Sequence, residues 1–301
     1  MKKILSIVGH QEWLHFGVRD RIIRMFHTSG SSGDVPFERS FFGQRYKGNL
    51  NTFIDWSVYY YGAYTKEELL CMRDFLEVMD DPVVVDVGAN IGHHSLFAST
   101  IAARVHSFEP FPAVIRKLEE KLELNAVKNV TVHKAGLGDT TETLSFFPPN
   151  TSNTGTGSFC NSEGKGEAIE LEVRRADDYF ESAGITRIDY LKMDIEGFEV
   201  KALQGMRETL AKHRPVCFVE WTQGKQGGAL RSGAELFPEN YQFFKLVVNE
   251  PFLVFFRKKD YRLVPVGEAW PDANLVAVPR EYINRVRAMN PAPRIAARLE
   301  K

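Results

Sequence analysis

The spacing of apolar positions changes character along the chain. Residues 11–27, QEWLHFGVRDRIIRMFH, place Trp13, Phe16, Ile22, Ile23 and Phe26 at near-helical spacing among Arg19, Arg21 and Arg24, which predicts an amphipathic helix packed on its own domain. HTSGSSGDVP (27–36) has the composition of a linker. Residues 40–64, SFFGQRYKGNLNTFIDWSVYYYGAY, are dense in aromatics around a Gly-Asn pair and predict short strands forming a cap or lid. The next segment, TKEELLCMRDFLEVM (65–79), opens with Thr65 and Glu68 at capping-box spacing and continues as an amphipathic helix.

From residue 83 short apolar runs alternate with helical patterns. VVVDV, RVHSFEP, NVTVHKAGLGD, IDYLKMDIEG and PVCFVEW read as strands. HHSLFASTIAA, PAVIRKLEEKLELNA and FEVKALQGMRETLAKH read as helices between them. ETLSFFP and AIELEVRRADDYF add strand material, YQFFKLVVNEPFLVFFRK reads as a closing hairpin, and PREYINRVRAMNPAPRIAARLEK as a helix with a loose end. Such alternation predicts an α/β fold, a mostly parallel sheet with helices on both faces. The expected division is an N-terminal helix, linker and aromatic cap (1–80), a main domain (81–280) and a C-terminal helix and tail (281–301). No internal repeat is present.

Composition narrows the function classes. A chain of 301 residues is near the upper limit for a single hydrophobic core. The formal net charge of -1 gives no global attraction to nucleic acid or an anionic membrane. No stretch approaches the roughly 20 apolar residues of a spanning helix, and MKKILSIVGHQEW is too short in apolar residues for a signal peptide. Cys71, Cys160 and Cys217 form neither a metal spacing nor a disulfide framework. A cytoplasmic protein with no nucleic-acid partner and no transmembrane segment is expected, and a homo-oligomer is compatible with the sequence.

VVVDVGANIGHHS (83–95) carries the chemistry: a buried strand ends at Asp86, with Gly88 and Gly92 directly after it. A strand, a glycine turn and a helix make a cofactor-binding unit, because glycine admits close backbone approach and a helix N-terminus offers free N–H groups. The dinucleotide fingerprint G-x-G-x-x-G lacks its central glycine here, since Asn90 follows Ala89. Asp86 would also repel a pyrophosphate. S-adenosylmethionine carries a sulfonium and an ammonium, so an acidic strand end attracts it. Glu109, closing VHSFEP, stands where a ribose-binding carboxylate belongs in either kind of cofactor fold. Pro110 and Phe111 follow as candidates for the adenine pocket.

VVVDVGANIGHHSLFAS, VHSFEPFP, NAVKNVTVHKAGLGD, LKMDIEGFEVKALQGM and PVCFVEW together resemble the FkbM family of S-adenosylmethionine-dependent methyltransferases, over roughly residues 83–223. The D-V-G-A-N-I-G turn and the segment Lys192, Asp194, Glu196, Gly197, Glu199 are its most specific parts. The resemblance implies a class I methyltransferase, Rossmann-like sheet, mostly parallel with one reversed strand, here with an N-terminal cap. It also implies O-methylation of a carbohydrate, glycolipid or secondary metabolite, so that the partner is a small-molecule or glycan- or lipid-linked acceptor. Position by position, it implies that Asp86, Gly88, Asn90 and Gly92 hold the methionine part, that Glu109 holds the ribose, and that Gly136, Leu137, Gly138 and Asp139 border the adenine. Asp194 would face the reacting methyl. A nicotinamide-dependent oxidoreductase or epimerase, and a non-catalytic scaffold on the same fold, are the alternatives.

Lys192, Asp194 and Glu196 alternate, so at strand spacing they share a face, and Glu220 ends the following strand. Carboxylates crowded there are expected to raise one pKa toward the working range of a base. Asp194 is the expected base or acceptor orienter, with Glu196 and Glu220 in support. Mg²⁺ at the same carboxylates is compatible but not favoured. His93 and His94 begin a helix and read as structural, and Glu199 and Lys201 as helix-surface charges. The loop 148–168 reads as either a disordered connection or a lid, its place after the third strand leaning toward a lid, with Asn153, Thr154 and Ser158 as its candidate sugar contacts. For Trp56, Tyr59, Tyr60 and Tyr61, stacking on a sugar face, a packed interior and a dimer surface stay open.

The first test follows from the acidic turn. Calorimetry is expected to show binding of S-adenosylmethionine and its demethylated product, and none of NAD. Binding of NAD alone would return the nicotinamide reading.

Overall fold

In the computed structural model, which describes residues 1–29, 33–148, 159, 167–221, 233–249, 260–267 and 273–289, the chain begins with helices α1 (Lys2–Gly9) and α2 (Phe16–Phe26). A hairpin of β1 (Pro36–Phe41) and β2 (Gln44–Asn49) follows, then α3 (Phe53–Tyr61) and α4 (Lys66–Leu76). Helix α1 was not expected. The aromatic run expected as strands is part hairpin and part helix. Thr52 caps α3 by accepting from the Asp55 N–H at 3.4 Å, and Gly62, at φ 86°, ends it. The buried Asp55 carboxylate accepts from the Tyr46 hydroxyl at 2.8 Å and the Asn49 N–H at 2.9 Å, tying helix to hairpin. Trp56, Tyr59 and Tyr60 pack with Leu5, Ile23 and Leu50, and this burial overrides the strand preference of aromatics. Tyr59 and Tyr60 belong to the packed interior, and Trp56, equally buried, also borders a cavity between α2, α3 and α4. The capping box of α4 does not form: Thr65 makes no side-chain cap bond, and Glu68 accepts instead from Asn274 at 2.8 Å.

The alternating region follows the expected order except that ADDYF, expected as strand, is helical: β3 (Val83–Val87), α5 (His93–Ala98), β4 (Arg104–Phe108), α6 (Pro112–Leu124), β5 (Val130–His133), β6 (Gly136–Gly138), β7 (Glu142–Phe146) and β8 (Ile169–Arg175). Then come α7 (Ala176–Ser182), β9 (Tyr190–Met193), α8 (Glu199–Gly205), α9 (Arg207–His213), β10 (Val216–Trp221), β11 (Tyr241–Asn249), β12 (Asp260–Pro265), β13 (Ala273–Pro279) and α10 (Ile283–Met289). The helix expected over 198–213 is two helices, breaking at Met206.

The main sheet has eight strands in the order β12-β11-β13-β10-β9-β3-β4-β5. Strands β5, β4, β3, β9 and β10 run parallel. The reversed strand is β13, inserted antiparallel between β10 and β11, and β12 adds an antiparallel edge. The expected closing hairpin is β11 with β12, and 250–259 between them lie outside the described residues, as do Asn153, Thr154, Ser158 and Cys160. A smaller sheet has the order β6-β8-β7.

Central strand β3 is buried at every position, as a valine run covered on both faces requires. Its side chains alternate. Val84 joins Phe75, Leu96 and Leu118 of α4, α5 and α6 in one cluster. Val85 and Val87 join Phe180, Leu203 and Leu210 of α7, α8 and α9 in the other. Asp86 therefore shares the face of Val84, toward α5. The β1–β2 hairpin and α4 put Phe41, Tyr46, Leu69 and Met72 into the first cluster, so residues before 81 share the main core. No helix among the described residues is long and apolar enough to cross a membrane.

Helix α8 approaches β6 so closely that a Cβ on Gly205 would lie 1.8 Å from the Gly138 carbonyl oxygen. Gly205→Ala is expected to cost about 1–3 kcal/mol through overpacking and to lower Tm by roughly 2–5 °C in a thermal melt. Gly267→Ala, where a Cβ meets nothing within 4 Å, is the control and should leave Tm unchanged. Equal melting of both variants would show that α8 is not held against β6.

Candidate active site

Strands β3, β4, β9 and β10 end side by side, where a parallel sheet opens a crevice beyond its carboxyl edge. The cleft there is bounded by Gly88 and Asn90 after β3, Glu109 and Phe111 after β4, and Asp194 and Glu196 after β9. Glu220 of β10 joins them, and the N-terminal region contributes Ile54 and Tyr64.

The turn after β3 is held by backbone bonds and one carboxylate. Gly88 and Ala89 donate to the Phe108 carbonyl, both at 3.0 Å. Gly88 has φ 78° and Asn90 φ 50°, the left-handed region. A Cβ on Gly88 would lie 2.0 Å from the Asp194 carbonyl oxygen, so the glycine is required by the contact between two turns. The two oxygens of Glu109 accept from the N–H groups of Asn90 and Phe111, each at 2.9 Å. Burial pushes the Glu109 carboxyl up to about 7, against the pull of those two N–H donors.

The turn after β9 has its own clamp. Glu196 (φ 55°) and Gly197 (φ 101°) both adopt positive φ. Glu199, expected on the helix surface, is only 1% exposed, and its carboxylate accepts from the N–H of Ile195 at 3.0 Å and of Gly197 at 3.1 Å. Free N–H groups at the start of α8 draw an acidic side chain inward. Lys201 is exposed, with its ammonium over the Phe198 ring.

Beneath both turns lies the Lys192 ammonium, 4% exposed. It stands 3.5 Å from Asp194 Oδ2, 3.7 Å from Asp86 Oδ1 and 3.5 Å from the Gly88 carbonyl. Burial alone would discharge it, but Asp194, Asp86, Glu68 and Glu220 outweigh burial and hold it protonated, above its ordinary pKa. Burial likewise works to raise Asp194, yet Lys192, a hydrogen bond with Glu220 and the nearby His94 hold it below the ordinary carboxylate range. The expected upward shift of Asp194 is thus reversed by an ammonium that the carboxylates surround. Ligand atoms of Asp194, Glu196 and Glu220 all lie within 4.8 Å of one another.

Gly88, Asn90, Glu109, Pro110, Phe111, Asp194, Glu196 and Glu220 line the cleft, as expected of site residues. Asp86, Gly92, Leu137, Gly138 and Asp139 do not. Asp86 is fully buried on the α5 face, where it accepts from the Ser95 hydroxyl at 2.6 Å and pairs with Lys192, so it underpins the turn rather than facing a ligand. Gly92 is required by α6, since its Cβ would meet Leu118 Cγ at 2.8 Å. Leu137 is buried in the core, and Gly138 and Asp139 lie against Gly205, because β6 turns away into the smaller sheet.

Residues outside the expected set also line the cleft: Lys192, Tyr64, His93 and His94. His93, read as structural, accepts from the Tyr64 N–H at 3.2 Å, and burial holds it well below the ordinary imidazole pKa. His94 Nε2 lies 3.4 Å from Glu68 Oε2. Lys192 was legible as part of a motif; its role among the acids becomes visible only when β9 is set beside β3.

A family model described as the methyltransferase FkbM domain matches residues 86–263. The hexuronic acid methyltransferase AglP of Haloferax volcanii is 32% identical, with 44% of this chain and 54% of that protein covered. The AMB antimetabolite synthetase AmbE of Pseudomonas aeruginosa is 30% identical over 54% of this chain and 9% of its own length. The 2-O-methyltransferase NoeI of Sinorhizobium fredii is 26% identical over 44% of this chain and 61% of that protein. The chain thus spans less than two thirds of the length of each of these relatives.

The pH response of Glu109 is a direct test of the site. A ribose diol donates more strongly to the ionised carboxylate than to the neutral carboxyl, and the raised pKa leaves it mostly protonated below pH 7. Affinity for S-adenosylhomocysteine is expected to be full at pH 8 and to fall by about tenfold by pH 6, roughly one decade per unit below the pKa. Glu109→Gln should bind weakly at both values, with a flat profile. A wild-type profile equally flat would remove Glu109 from ligand binding.

Proposed function

The chain belongs to the FkbM methyltransferase family, and from that premise we propose that it transfers a methyl group from S-adenosylmethionine to a hydroxyl of a carbohydrate, glycolipid or secondary metabolite. The charge of the cleft carries the reading. Asp86, Asp194, Glu220 and Glu68 surround one buried ammonium, with Glu109 and Glu196 on the rim. Such surroundings suit a cationic donor and disfavour a pyrophosphate. The names of the hexuronic acid methyltransferase and the 2-O-methyltransferase support a sugar oxygen as the acceptor.

Each residue then has a task. Glu109 accepts from the ribose hydroxyls while its other lone pairs hold the N–H groups of Asn90 and Phe111. Asn90 and the Gly88 turn border the methionine part, and Pro110 and Phe111 the adenine side. Asp86 acts at one remove, by fixing Lys192. Bound S-adenosylmethionine supplies a methyl made electrophilic by its sulfonium. Asp194, kept ionised by Lys192, accepts the hydrogen bond of the incoming hydroxyl and aims its lone pair. As the O–CH3 bond forms and the S–CH3 bond breaks, the hydroxyl proton passes to the ionised Asp194 carboxylate, which Glu220 flanks.

A second reading places Mg²⁺ at Asp194, Glu196 and Glu220, and their clustering within 4.8 Å favours it. Against it, Lys192 already supplies a positive charge to Asp194 at 3.5 Å.

Transfer of labelled methyl into glycan and metabolite extracts of cells lacking the gene tests both. Asp194→Asn should lower transfer by about a hundredfold or more, while S-adenosylhomocysteine binds within a few-fold of wild type and EDTA has no effect. Near-normal transfer by the variant would remove Asp194 from the chemistry. Activity lost in EDTA and restored by Mg²⁺ would replace the base with a metal, and a methylated amine or carbon would overturn the oxygen acceptor.

A further inference from the structure

A second cavity, of about 520 Å³, lies between α2, α3 and α4 and shares Tyr64 with the cleft. That volume suits a small-molecule ligand. Its charge is the reverse of the cleft's: Arg19, Arg24, Lys66 and Arg73 line it against Glu12 and Glu67. Its apolar walls are aromatic, with Phe16, Phe53, Trp56 and Tyr61 among them. Asp20 holds Arg24 at 2.7 Å, and the guanidinium carbon lies 5.1 Å from the Trp56 ring centroid. Arg19 Nε, Trp56 Nε1 and Thr65 Oγ1 are buried on this wall without a hydrogen-bond partner among the described residues. Arg19 itself is 4% exposed.

We propose that this cavity is the acceptor subsite and that it selects a sugar carrying a carboxylate, of the uronic acid type. The inference rests on the methyltransfer reading of the adjoining cleft and adds the class of acceptor to it. Buried donors without partners disfavour a purely apolar occupant, which would leave them unpaired. Guanidinium groups match a carboxylate in shape and charge. Aromatic walls take the C–H face of a pyranose ring, which is apolar and flat. The position is right for an acceptor. Tyr64 separates the two cavities, and its hydroxyl feels the charges of Asp194 and Glu220, burial and those carboxylates together holding it protonated. A ring seated over α3 would thus lie on the other side of Tyr64 from the cleft that holds Asp194. The two cavities divide the charge: the acidic one takes the cationic donor and the basic one the anionic acceptor.

Calorimetric titration of the ligand-free protein with 4-nitrophenyl β-D-glucuronide and with 4-nitrophenyl β-D-glucoside tests the selection, S-adenosylhomocysteine being added afterwards. The glucuronide is expected to bind at least about tenfold tighter than the glucoside. Arg19→Met and Arg24→Gln should each weaken glucuronide binding about tenfold and leave the glucoside and S-adenosylhomocysteine affinities unchanged. Arg19 also donates to the Gly9 carbonyl, so if its variant fails to fold, the half-exposed Arg24 decides. Equal affinity for the two glycosides, no binding of either, or wild-type glucuronide binding by Arg24→Gln would overturn the inference. Failure of S-adenosylhomocysteine to bind would overturn the methyltransfer reading and the acceptor role with it, whereas a failure confined to the glucuronide overturns this inference alone.

Discussion

The buried ammonium of Lys192 is the interaction on which the rest of the site depends. Lys192 on β9 is the register partner of Asp86 on β3, in the middle of the parallel sheet. An isolated charge buried there would be costly, and Asp86 beside it is fully buried as well. Paired, each justifies the other. Lys192 also reaches Asp194 and the Gly88 carbonyl, so one cation ties the turn after β3 to the turn after β9. Removing one partner of such a buried pair typically costs about 3–5 kcal/mol, because the other charge is left uncompensated. The carboxylates that crowd the cleft can share it because this cation lies under them.

The turns themselves meet backbone to backbone. Asp194 donates its N–H to the Val87 carbonyl at 3.1 Å, and its own carbonyl occupies the space where a Gly88 side chain would be. The glycine after the buried strand thus answers first to a neighbouring turn and only then to a ligand. Glu109 and Glu199 play related parts: Glu109 ties the N–H of Asn90, at positive φ, to that of Phe111 after β4, and Glu199 takes the N–H groups of Ile195 and Gly197 in the turn after β9. Strained backbone of this kind persists only where its surroundings over-determine it. Here two acids and two glycines do so, and the cleft wall is fixed before any ligand arrives.

Which parts were legible in the sequence follows from how each part is specified. The strands of the parallel sheet are buried on both faces, so their apolar runs mark them directly, and β3, β4, β5, β9 and β10 lie where the pattern places them. Helix α3 was hidden because its aromatics favour strands locally; a contact with Leu5 and Ile23, far away in the chain, decides the matter. The inward direction of Asp86 was present in the sequence as parity, since it alternates with Val85 and Val87. Reading the acid at the strand end as a ligand contact overrode that parity. Glu109, Asp194, Glu196 and Glu220 could be placed because strand ends converge in any such sheet. Leu137, Gly138 and Asp139 could not, because β6 leaves the main sheet for the smaller one, a departure no local pattern records.

The family match begins at residue 86, yet the cleft does not. Ile54 and Tyr64 line it from the N-terminal side, and Glu68 reaches His94 and Asn274 from α4. The second cavity is built wholly from residues 12–73. The matched segment supplies most strands of the main sheet and both cleft turns, with Asp86, Asp194 and Glu220, while β13 and Glu68 come from outside it. The segment before it supplies Ile54 and Tyr64 to the cleft and all of the second cavity's lining. A fold that carries one donor to many acceptors must vary where the acceptor sits and hold firm where the donor sits. In this chain Tyr64 joins the two parts: its backbone N–H is held by His93 of the matched segment, and it lines both cavities.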